Sequence, residues 1–241
     1  MGGQVPKQFL ELGGEPIAMR TLRRVSESVD RFLTQRSQHV DGVVDKQAGG
    51  NRRIQENVDN YVHKILLVLP ESYIRSWRTL CEKHRFRVPH TVVAGGETRF
   101  HSVRNGLAAE PEAEIVLVHD GVRPFVDDRT VAAVIAAAER YGAAVPVVPV
   151  TDSLRRIEGP NGTASRAVDR TEYRAVQTPQ GFRGDRLRQA YTAPYDERFT
   201  DDATVMELTG TGRIVWVDGD PANIKITTPT DRMIAEAMLD R

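Results

Sequence analysis

Short apolar runs alternate along the chain with segments whose apolar residues recur at helical spacing. The run at residues 64–69 precedes a helical segment that begins at Glu71, and the helical segment at 131–140 precedes a second run at 143–150. This alternation favours an α/β fold with a doubly wound, mostly parallel sheet and helices on both faces. A chain of 241 residues can bury a full core in a single domain over residues 1–241, and two domains are possible but not required.

The apolar run Ile115–Val118 ends abruptly on a polar turn that contains His119, Asp120 and Arg123. An uninterrupted run of this kind suits a strand buried on both faces, as in a parallel sheet. Ligands of open α/β sheets bind at the carboxyl ends of such strands. There a carboxylate can meet a metal or a hydroxyl, and a guanidinium can hold a phosphate with two hydrogen bonds. The turn therefore indicates a phosphorylated substrate, and a His119 that holds the turn is favoured over a proton-transfer role.

Two segments depart from the alternation. Residues 34–60 are polar with isolated valines, which predicts a mobile surface insertion, a loop without chemistry, between a helix at 17–33 and a strand. Residues 151–168 place the turn sequence Gly-Pro-Asn-Gly between polar, alternating flanks, which predicts a projecting β-hairpin. A projecting hairpin needs a surface to cover it, and a second subunit is the natural candidate.

Composition excludes several classes of protein. Lys and Arg together number 33, as do Asp and Glu, and this zero formal charge argues against nucleic-acid or membrane-surface binding. The only cysteine, Cys81, cannot form an internal disulfide, and no apolar stretch is long enough for a bilayer span or a signal peptide. Zinc-ligand spacing, Gly-x-Ser-x-Gly, the P-loop and the dinucleotide fingerprint are absent. We expect a cytoplasmic protein whose partners are small molecules or further copies of itself.

Three further clusters have both a structural and a functional interpretation. Lys7 could neutralise phosphate or be a solvated surface charge. Gly95 and Gly96 follow a predicted strand at 91–93 and open a helix, so they form either an ordinary turn or a site where the backbone approaches an anion. Lys225 interrupts an apolar, β-branched run that we expect to be a buried strand, and burial of an unpaired ammonium is costly. An anion partner for Lys225 would offset that cost.

The clusters occur together in the order that is typical of 2-C-methyl-D-erythritol 4-phosphate cytidylyltransferases, and the resemblance covers nearly the whole chain outside 34–60. The motifs that carry it are Pro6-Lys7-Gln8-Phe9-Leu10, Gly95-Gly96 with Arg99 and Ser102-Val103, His119-Asp120-Gly121-Val122-Arg123-Pro124, Val168-Asp169-Arg170, Gln177-Thr178-Pro179-Gln180, Thr200-Asp201-Asp202-Ala203 and Asn223-Ile224-Lys225. The resemblance implies a Rossmann-like nucleotidyltransferase, with residues 151–170 as a dimerisation arm. It also implies an enzyme that joins CTP to 2-C-methyl-D-erythritol 4-phosphate with Mg²⁺, releases pyrophosphate and works as a homodimer in non-mevalonate isoprenoid biosynthesis.

The resemblance also implies roles for individual residues. Lys7 and Lys225 would be catalytic, holding the triphosphate and the charged transition state. The implied nucleotide-binding residues are Gly95, Gly96, Ser102 and Asp120, and Asp120 would also hold the metal. The implied substrate-binding residues are Arg123, Ser153, Arg170 and Thr178, of which Ser153 and Arg170 would come from the partner's hairpin. Ser153 stands where a threonine is more usual and Glu97 where an aspartate is common, and neither change alters the chemistry.

One departure from the family pattern concerns the start of the chain. Members begin with an apolar strand and a loop of the form Ala-Ala-Gly-x-Gly-x-Arg-Met, and this chain begins at the residue that matches the final Met. We expect Met1 to be an internal methionine of a longer protein. The 241-residue chain alone is expected to bind CTP weakly and to have little activity, because the missing loop cradles the nucleotide phosphates.

Two alternatives stay open at this point. Ribitol 5-phosphate cytidylyltransferases share the His-Asp-x-x-Arg-Pro and Asn-Ile-Lys elements, although the spacing of Arg99 and Ser102 resembles the methylerythritol enzyme more closely. A protein of another class, a non-catalytic dimerising remnant, would keep the hairpin and lack the phosphate loop. It would form dimers without releasing pyrophosphate.

Overall fold

The computed structural model describes residues 6–40, 63–159, 162 and 164–239, with the side chains of 38–40 excepted. The helices are α1 (Ile17–Val40), α2 (Glu71–Lys83), α3 (Arg99–Ala109), α4 (Asp128–Tyr141), α5 (Gly184–Ala190), α6 (Asp202–Leu208) and α7 (Pro229–Leu239). The strands are β1 (Glu11–Leu12), β2 (Glu15–Pro16), β3 (Leu66–Leu69), β4 (Thr91–Ala94), β5 (Ile115–Val118), β6 (Ala143–Pro149), β7 (Arg155–Glu158), β8 (Ala164–Ala167), β9 (Arg174–Val176), β10 (Gln180–Arg183) and β11 (Val215–Asp218). Short 3-10 helices span Lys7–Phe9 and Arg170–Glu172.

The chain divides into two compact units, each built from separate segments. The first comprises Met1–Glu112, Gly121–Ala132 and Ile224–Arg241, and the second comprises Ala113–Asp120 and Ala133–Asn223. The prediction of a single domain over residues 1–241 stays a prediction.

The described residues of the first unit form two small sheets and include two apolar clusters. β1 and β2 pair antiparallel, whereas the apolar strands β3 and β4 run parallel. The aromatic cluster surrounds Trp77, and its buried members are Phe9, Ala18, Met19, Leu22, Leu67, Leu69, Trp77 and Phe86. The Ile226 cluster consists of Leu12, Ile17, Ile226 and Ala235. Burial of these side chains supplies the main stabilisation of the unit.

The second unit is built on a five-stranded mixed sheet. Its strand order is β11-β6-β10-β5, and β9 also pairs with β6. β11 runs parallel to β6, whereas β10 pairs antiparallel with both β5 and β6. The central strand β6 is almost entirely apolar and mostly buried, as expected of a strand with neighbours on both sides. The predicted α/β class is confirmed, with mixed rather than mainly parallel pairing in this sheet.

Strand β5 differs from the expectation in its surroundings. Its four residues are half-buried rather than fully buried, and its pairing with β10 is antiparallel. Within the described residues β5 is the last strand of its sheet, which explains the partial exposure. The predicted position of the strand, directly before His119 and Asp120, is correct.

Helix α1 continues past the predicted end at residue 33 and reaches Val40. Residues 34–40 contain no Gly or Pro, and the hydroxyls of Thr34 and Ser37 donate to the carbonyls of Asp30 and Leu33 one turn earlier. The start of the predicted insertion is therefore helical, and its part from 41 to 60 lies outside the described residues. Among the described helices none is long and apolar enough to cross a membrane.

The predicted hairpin is present as strands β7 and β8. They pair antiparallel, with Arg155 opposite Ala167 and Glu158 opposite Ala164. Gly159 and Gly162 at its turn have φ values of +80° and +64°, a region that glycine enters without steric cost. All four residues of β7 are exposed within the described chain.

Candidate active site

The predicted site residues fall into two groups, one in each unit. Those of the first unit are Lys7, Gly95, Gly96, Ser102, Arg123 and Lys225, and those of the second unit are Asp120, Ser153, Arg170 and Thr178.

Gly95, Gly96 and Ser102 form a closed loop between β4 and α3. The Gly95 N–H donates to the Leu69 carbonyl over 2.7 Å. The Ser102 hydroxyl accepts the Gly96 N–H at 3.1 Å and donates to the Thr98 carbonyl at 3.0 Å. The structure thus brings together three of the four predicted nucleotide-binding residues, and the hydroxyl of Ser102 holds the loop in shape.

The two glycines of this loop have little room for a side chain. A Cβ atom at Gly95 would lie 3.0 Å from the Ser102 hydroxyl oxygen, and one at Gly96 would overlap the Cβ of His101. Thr98 caps α3 by accepting the His101 N–H. The loop therefore presents bare backbone at the start of a helix, a favourable place for an anion or for the edge of a base.

The backbone segments that carry Arg123 and Lys225 are joined to each other. The Ile226 N–H donates to the Val122 carbonyl over 3.0 Å, which joins the two segments directly. Ile226 is buried in the Ile226 cluster, and Val122 and Ile224 pack against it. Each cation is thus next in sequence to an apolar residue of this cluster.

The buried strand expected around Lys225 is absent, because residues 224–227 have no strand pairing. The side chain of Lys225 is exposed, whereas that of the next residue, Ile226, is buried. Ile224 and Ile226 pack into the apolar cluster on either side of Lys225. The ammonium of Lys225 therefore stays in solvent, and the cost of burying it does not arise.

Asp231 fixes the segment that follows Lys225. Its carboxylate accepts the N–H groups of Thr227 and Thr228 at 2.8 and 2.7 Å, and the Thr228 hydroxyl accepts the Asp231 N–H. This is a capping box at the start of α7, which begins with Pro229. The hydrogen bonds from Thr227 and Thr228 lower the pKa of Asp231 to about 2.

Lys7 lies on the exposed side of the 3-10 helix Lys7–Phe9, whose Phe9 is buried. Leu10, the residue after this helix, packs against the Ile226 cluster that also anchors the segments of Arg123 and Lys225. The first unit therefore ties the segments of three cationic residues to one apolar cluster.

In the second unit, Thr178 joins the turn that carries Asp120. Its hydroxyl accepts the Asp120 N–H at 3.0 Å and lies 3.0 Å from Nδ1 of His119. Its carbonyl accepts the side-chain amide of Asn223 at 2.9 Å, and the Thr178-Pro179 peptide bond is cis. Thr178 is only 7% exposed. Its hydroxyl thus holds the Asp120 turn, and the bond to His119 agrees with a histidine that holds the turn.

The glutamines on either side of Thr178 have roles that sequence analysis missed. Gln177 donates to the Asp220 carbonyl and accepts the Asp220 N–H, at 2.8 and 3.3 Å. Gln180 donates to the Asp201 carboxylate at 2.7 Å and accepts the Ala203 N–H at 3.1 Å. Both side chains are buried, and each fixes a neighbouring loop. The available signal was two amides close together at the start of the mostly buried strand β10, where buried polar groups need partners.

Ser153 and Arg170 lie at the base of the hairpin, and both are exposed. The guanidinium of Arg170 donates to the Thr151 carbonyl, and so ties its segment to the one that carries Ser153. Asp169 caps the second 3-10 helix by accepting the Thr171 N–H at 2.9 Å. The hydrogen bonds from Thr171 hold the pKa of Asp169 below its usual value, with a smaller contribution from the charge of Arg170.

The described residues contain no group of three or more His, Cys, Asp or Glu side chains that could hold a metal ion. Asp120 would therefore act with at most one further His, Cys, Asp or Glu side chain from this part of the chain. Mg²⁺ is commonly bound by one or two carboxylates together with substrate phosphates and water, so a single carboxylate fits this ion when a nucleotide is present.

The α/β fold is one that the chain shares with a solved nucleotidyltransferase. The family model described as 2-C-methyl-D-erythritol 4-phosphate cytidylyltransferase matches residues 51–241. The chain belongs to this family.

Individual relatives agree with this membership over almost the entire chain. The 2-C-methyl-D-erythritol 4-phosphate cytidylyltransferase of Phocaeicola vulgatus is 40% identical over 99% of this chain and 93% of its own length. That of Porphyromonas gingivalis is 42% identical over 99% of this chain and 91% of its own length. The crystal structure of the Thermus thermophilus enzyme superposes with a TM-score of 0.71 at 30% identity, covering 98% of this chain and 94% of that one.

Proposed function

We propose that this protein transfers the cytidylyl group of CTP to 2-C-methyl-D-erythritol 4-phosphate. The products would be 4-CDP-2-C-methyl-D-erythritol and pyrophosphate, in the non-mevalonate route to isoprenoid precursors. The observation that supports the proposal is the backbone hydrogen bond between Val122 and Ile226, which joins the segments that carry Arg123 and Lys225 in a member of this family. Cations on two joined segments suit a reaction between two phosphorylated substrates.

Lys7, Lys225 and Arg123 would act by positioning the two phosphorylated substrates and neutralising their charge. A phosphate oxygen of the sugar substrate forms a bond to the α-phosphorus of CTP while the bond to the pyrophosphate oxygen breaks. Lys7 and Lys225 neutralise the charge that builds up on the triphosphate as pyrophosphate leaves, and Arg123 binds the sugar phosphate. Turnover depends mainly on positioning and charge neutralisation, because the reaction needs no covalent enzyme intermediate.

The loop of Gly95, Gly96 and Ser102 would bind the cytidine part of CTP. Its bare backbone lets peptide groups approach the base and ribose closely, and a tight fit there would exclude the larger purines. Asp120 would hold Mg²⁺ together with the substrate phosphates, and the ion would neutralise phosphate charge. The hydrogen bond from Asp120 N–H to Thr178 would keep the carboxylate in place.

We further propose that the enzyme is a homodimer in which the hairpin of one subunit covers the site of the other. The exposed strand β7, with an exposed Ile157, offers a surface for such a partner. Arg170 and Ser153, tied together at the hairpin base, would then contact the sugar phosphate of the partner's site. A cytoplasmic location, expected from the sequence, completes the proposal.

The proposal is tested by pyrophosphate release with CTP and Mg²⁺, comparing 2-C-methyl-D-erythritol 4-phosphate with ribitol 5-phosphate. We expect release with the methylerythritol substrate. Faster release with ribitol 5-phosphate would favour the sister enzyme, and dimers without release would favour the remnant.

A further inference from the structure

The 3-10 helix that carries Lys7 rests on the aromatic cluster of the first unit. The ring of Phe9 stacks on that of Trp77, with centroids 5.8 Å apart and planes 24° from parallel. The rings of Tyr73 and Phe9 are nearly perpendicular, with centroids 6.0 Å apart. Phe9 is only 6% exposed, whereas Lys7, two residues earlier, is exposed.

Trp77 is itself held in one orientation by a histidine. Its indole N–H donates to Nε2 of His90 over 2.9 Å, and Nδ1 of His90 lies 2.8 Å from the Val88 carbonyl. Because Nε2 accepts the indole proton, the remaining ring proton belongs on Nδ1, where the Val88 carbonyl accepts it. Trp77 is fully buried, so these bonds fix the plane on which Phe9 stacks.

The 3-10 helix Lys7–Phe9 is only weakly stabilised by its own backbone hydrogen bonds. Its hydrogen bonds run from Phe9 N–H to the Pro6 carbonyl and from Leu10 N–H to the Lys7 carbonyl. A 3-10 helix of three residues is too short to be stable by itself. The position of Lys7 therefore depends on the burial of its neighbours, above all on the stack of Phe9 on Trp77.

We infer that Trp77 and His90 are positioning residues for Lys7 and act through the ring of Phe9. The inference rests on the proposed function, in which Lys7 neutralises the triphosphate. A lysine that moves by about 1 Å loses much of its effect on a transition state, since positioning accounts for a large part of the rate. Neither Trp77 nor His90 was selected by the sequence analysis.

The test compares Trp77→Leu with Phe86→Leu. Both changes remove an aromatic ring from the same cluster, but among the described ring contacts Phe86 meets Trp77 and His90 and not Phe9. Phe86→Leu therefore serves as the control for lost stability. The readouts are amide hydrogen exchange at Phe9 and Leu10, together with kcat and KM.

We expect Trp77→Leu to speed exchange at the Phe9 and Leu10 amides and to lower kcat by about tenfold, with KM for the sugar phosphate changed by no more than about twofold. Phe86→Leu should lower the free energy of unfolding while leaving exchange and kcat within about twofold of the wild type. Equal effects of the two variants on exchange and kcat would overturn the inference. If the wild type releases no pyrophosphate, the proposed function fails, and hydrogen exchange alone still decides whether Trp77 orders the turn.

The role of His90 is tested separately through Trp77 fluorescence. The chain has two tryptophans, so Trp216→Phe leaves Trp77 as the only one. In that background His90→Leu removes the acceptor of the indole N–H, whereas His90→Gln offers a replacement oxygen. We expect a changed emission spectrum and faster exchange at Phe9 for His90→Leu, with both largely restored by His90→Gln. Emission and exchange unchanged in His90→Leu would contradict a role for His90.

Discussion

The hydroxyl oxygen of Thr178 accepts the backbone N–H of Asp120 across 3.0 Å, although the two residues are far apart in the sequence. The same oxygen lies 3.0 Å from Nδ1 of His119. A single buried hydroxyl therefore fixes the turn at the end of β5, which carries Asp120, the proposed ligand of Mg²⁺. This arrangement makes Thr178 a positioning residue for Asp120, whatever further contact it makes with substrate.

Replacing Thr178 by valine should lower turnover strongly. The change keeps the shape of the side chain but leaves the Asp120 N–H without its acceptor, at a cost of about 1–3 kcal/mol. Turnover, measured as pyrophosphate release, should fall by an order of magnitude or more. Thr178→Ser keeps the hydroxyl and should retain most of the turnover. Equal turnover in the valine and serine variants would show that the hydroxyl is not needed.

Lys225→Met should abolish most turnover while leaving the protein folded. The lysine is exposed, so its loss removes charge from the proposed triphosphate site without opening the core. We expect kcat to fall by about a hundredfold or more, as for other groups that stabilise charge in a transition state. Urea unfolding should shift little. Lys64→Met is the control, because Lys64 forms an exposed ion pair with Glu110, and such pairs contribute little to stability. Comparable losses in both variants would argue against a special role for Lys225.

Gly96→Ala should weaken CTP binding more than it weakens folding. The added methyl group overlaps the side chain of His101, so the loop must move at the start of α3. We expect KM for CTP to rise about tenfold, with little change in KM for the sugar phosphate. In Gly106→Ala, on the same helix, the added Cβ meets only a Val68 methyl at 3.3 Å, and KM for CTP should stay near the wild-type value. An equal rise in KM for CTP in Gly106→Ala would show that any disturbance of α3 weakens CTP binding.

The capping box of Asp231 predicts a specific dependence of stability on pH. The folded pKa of about 2 lies below the value of about 3.9 for an unfolded aspartate, so the ionised form stabilises the fold. This contribution is present above about pH 4 and is lost as the pH falls towards 2. Asp231→Asn should therefore cost about 1 kcal/mol at neutral pH and less as the pH falls.

The measurement is urea unfolding of wild type and Asp231→Asn between neutral pH and pH 2. Glu236→Gln, which breaks only an exposed ion pair with Arg232 on the same helix, is the control and should change stability by less than about 0.5 kcal/mol. A constant difference between wild type and Asp231→Asn across the pH range would contradict the assigned role of the carboxylate.

Ile157→Asp should weaken the proposed dimer. Ile157 is 62% exposed on the hairpin, so a charge costs nothing in the free subunit but would be buried without a partner if another subunit covered it. Light scattering should show a shift towards monomer. Met233→Asp, at another exposed apolar position on α7, should leave the mass unchanged. A monomeric wild type would contradict the proposed dimer, in which the hairpin of one subunit covers the site of the other.

Sequence reasoning located most elements of the fold because local signals were strong. Turn residues marked the hairpin, and two glycines after a predicted strand marked the start of α3. The end of α1 was misplaced because the polar residues 34–40 look like a loop, although they contain no helix breaker. The mixed pairing of β5 could not be foreseen, since strand direction is set by partners that are distant in sequence.

The site was accessible to sequence reasoning only in part. Motif order pointed to Lys7, Arg123 and Lys225, but not to the packing of their segments around Ile226, which depends on the tertiary fold. The buried amides of Gln177 and Gln180 belong to one sequence motif, yet their partners at Asp220 and Asp201 lie 43 and 21 residues away, respectively. Long-range hydrogen bonds of this kind leave no periodic pattern in a sequence.

The most direct test is pyrophosphate release with CTP, Mg²⁺ and 2-C-methyl-D-erythritol 4-phosphate, measured for the wild type and for its Lys225→Met variant. We expect release that requires both substrates, with loss of most turnover in the variant. Release that is absent from the wild type, or release that is unchanged by Lys225→Met, would contradict the proposed function.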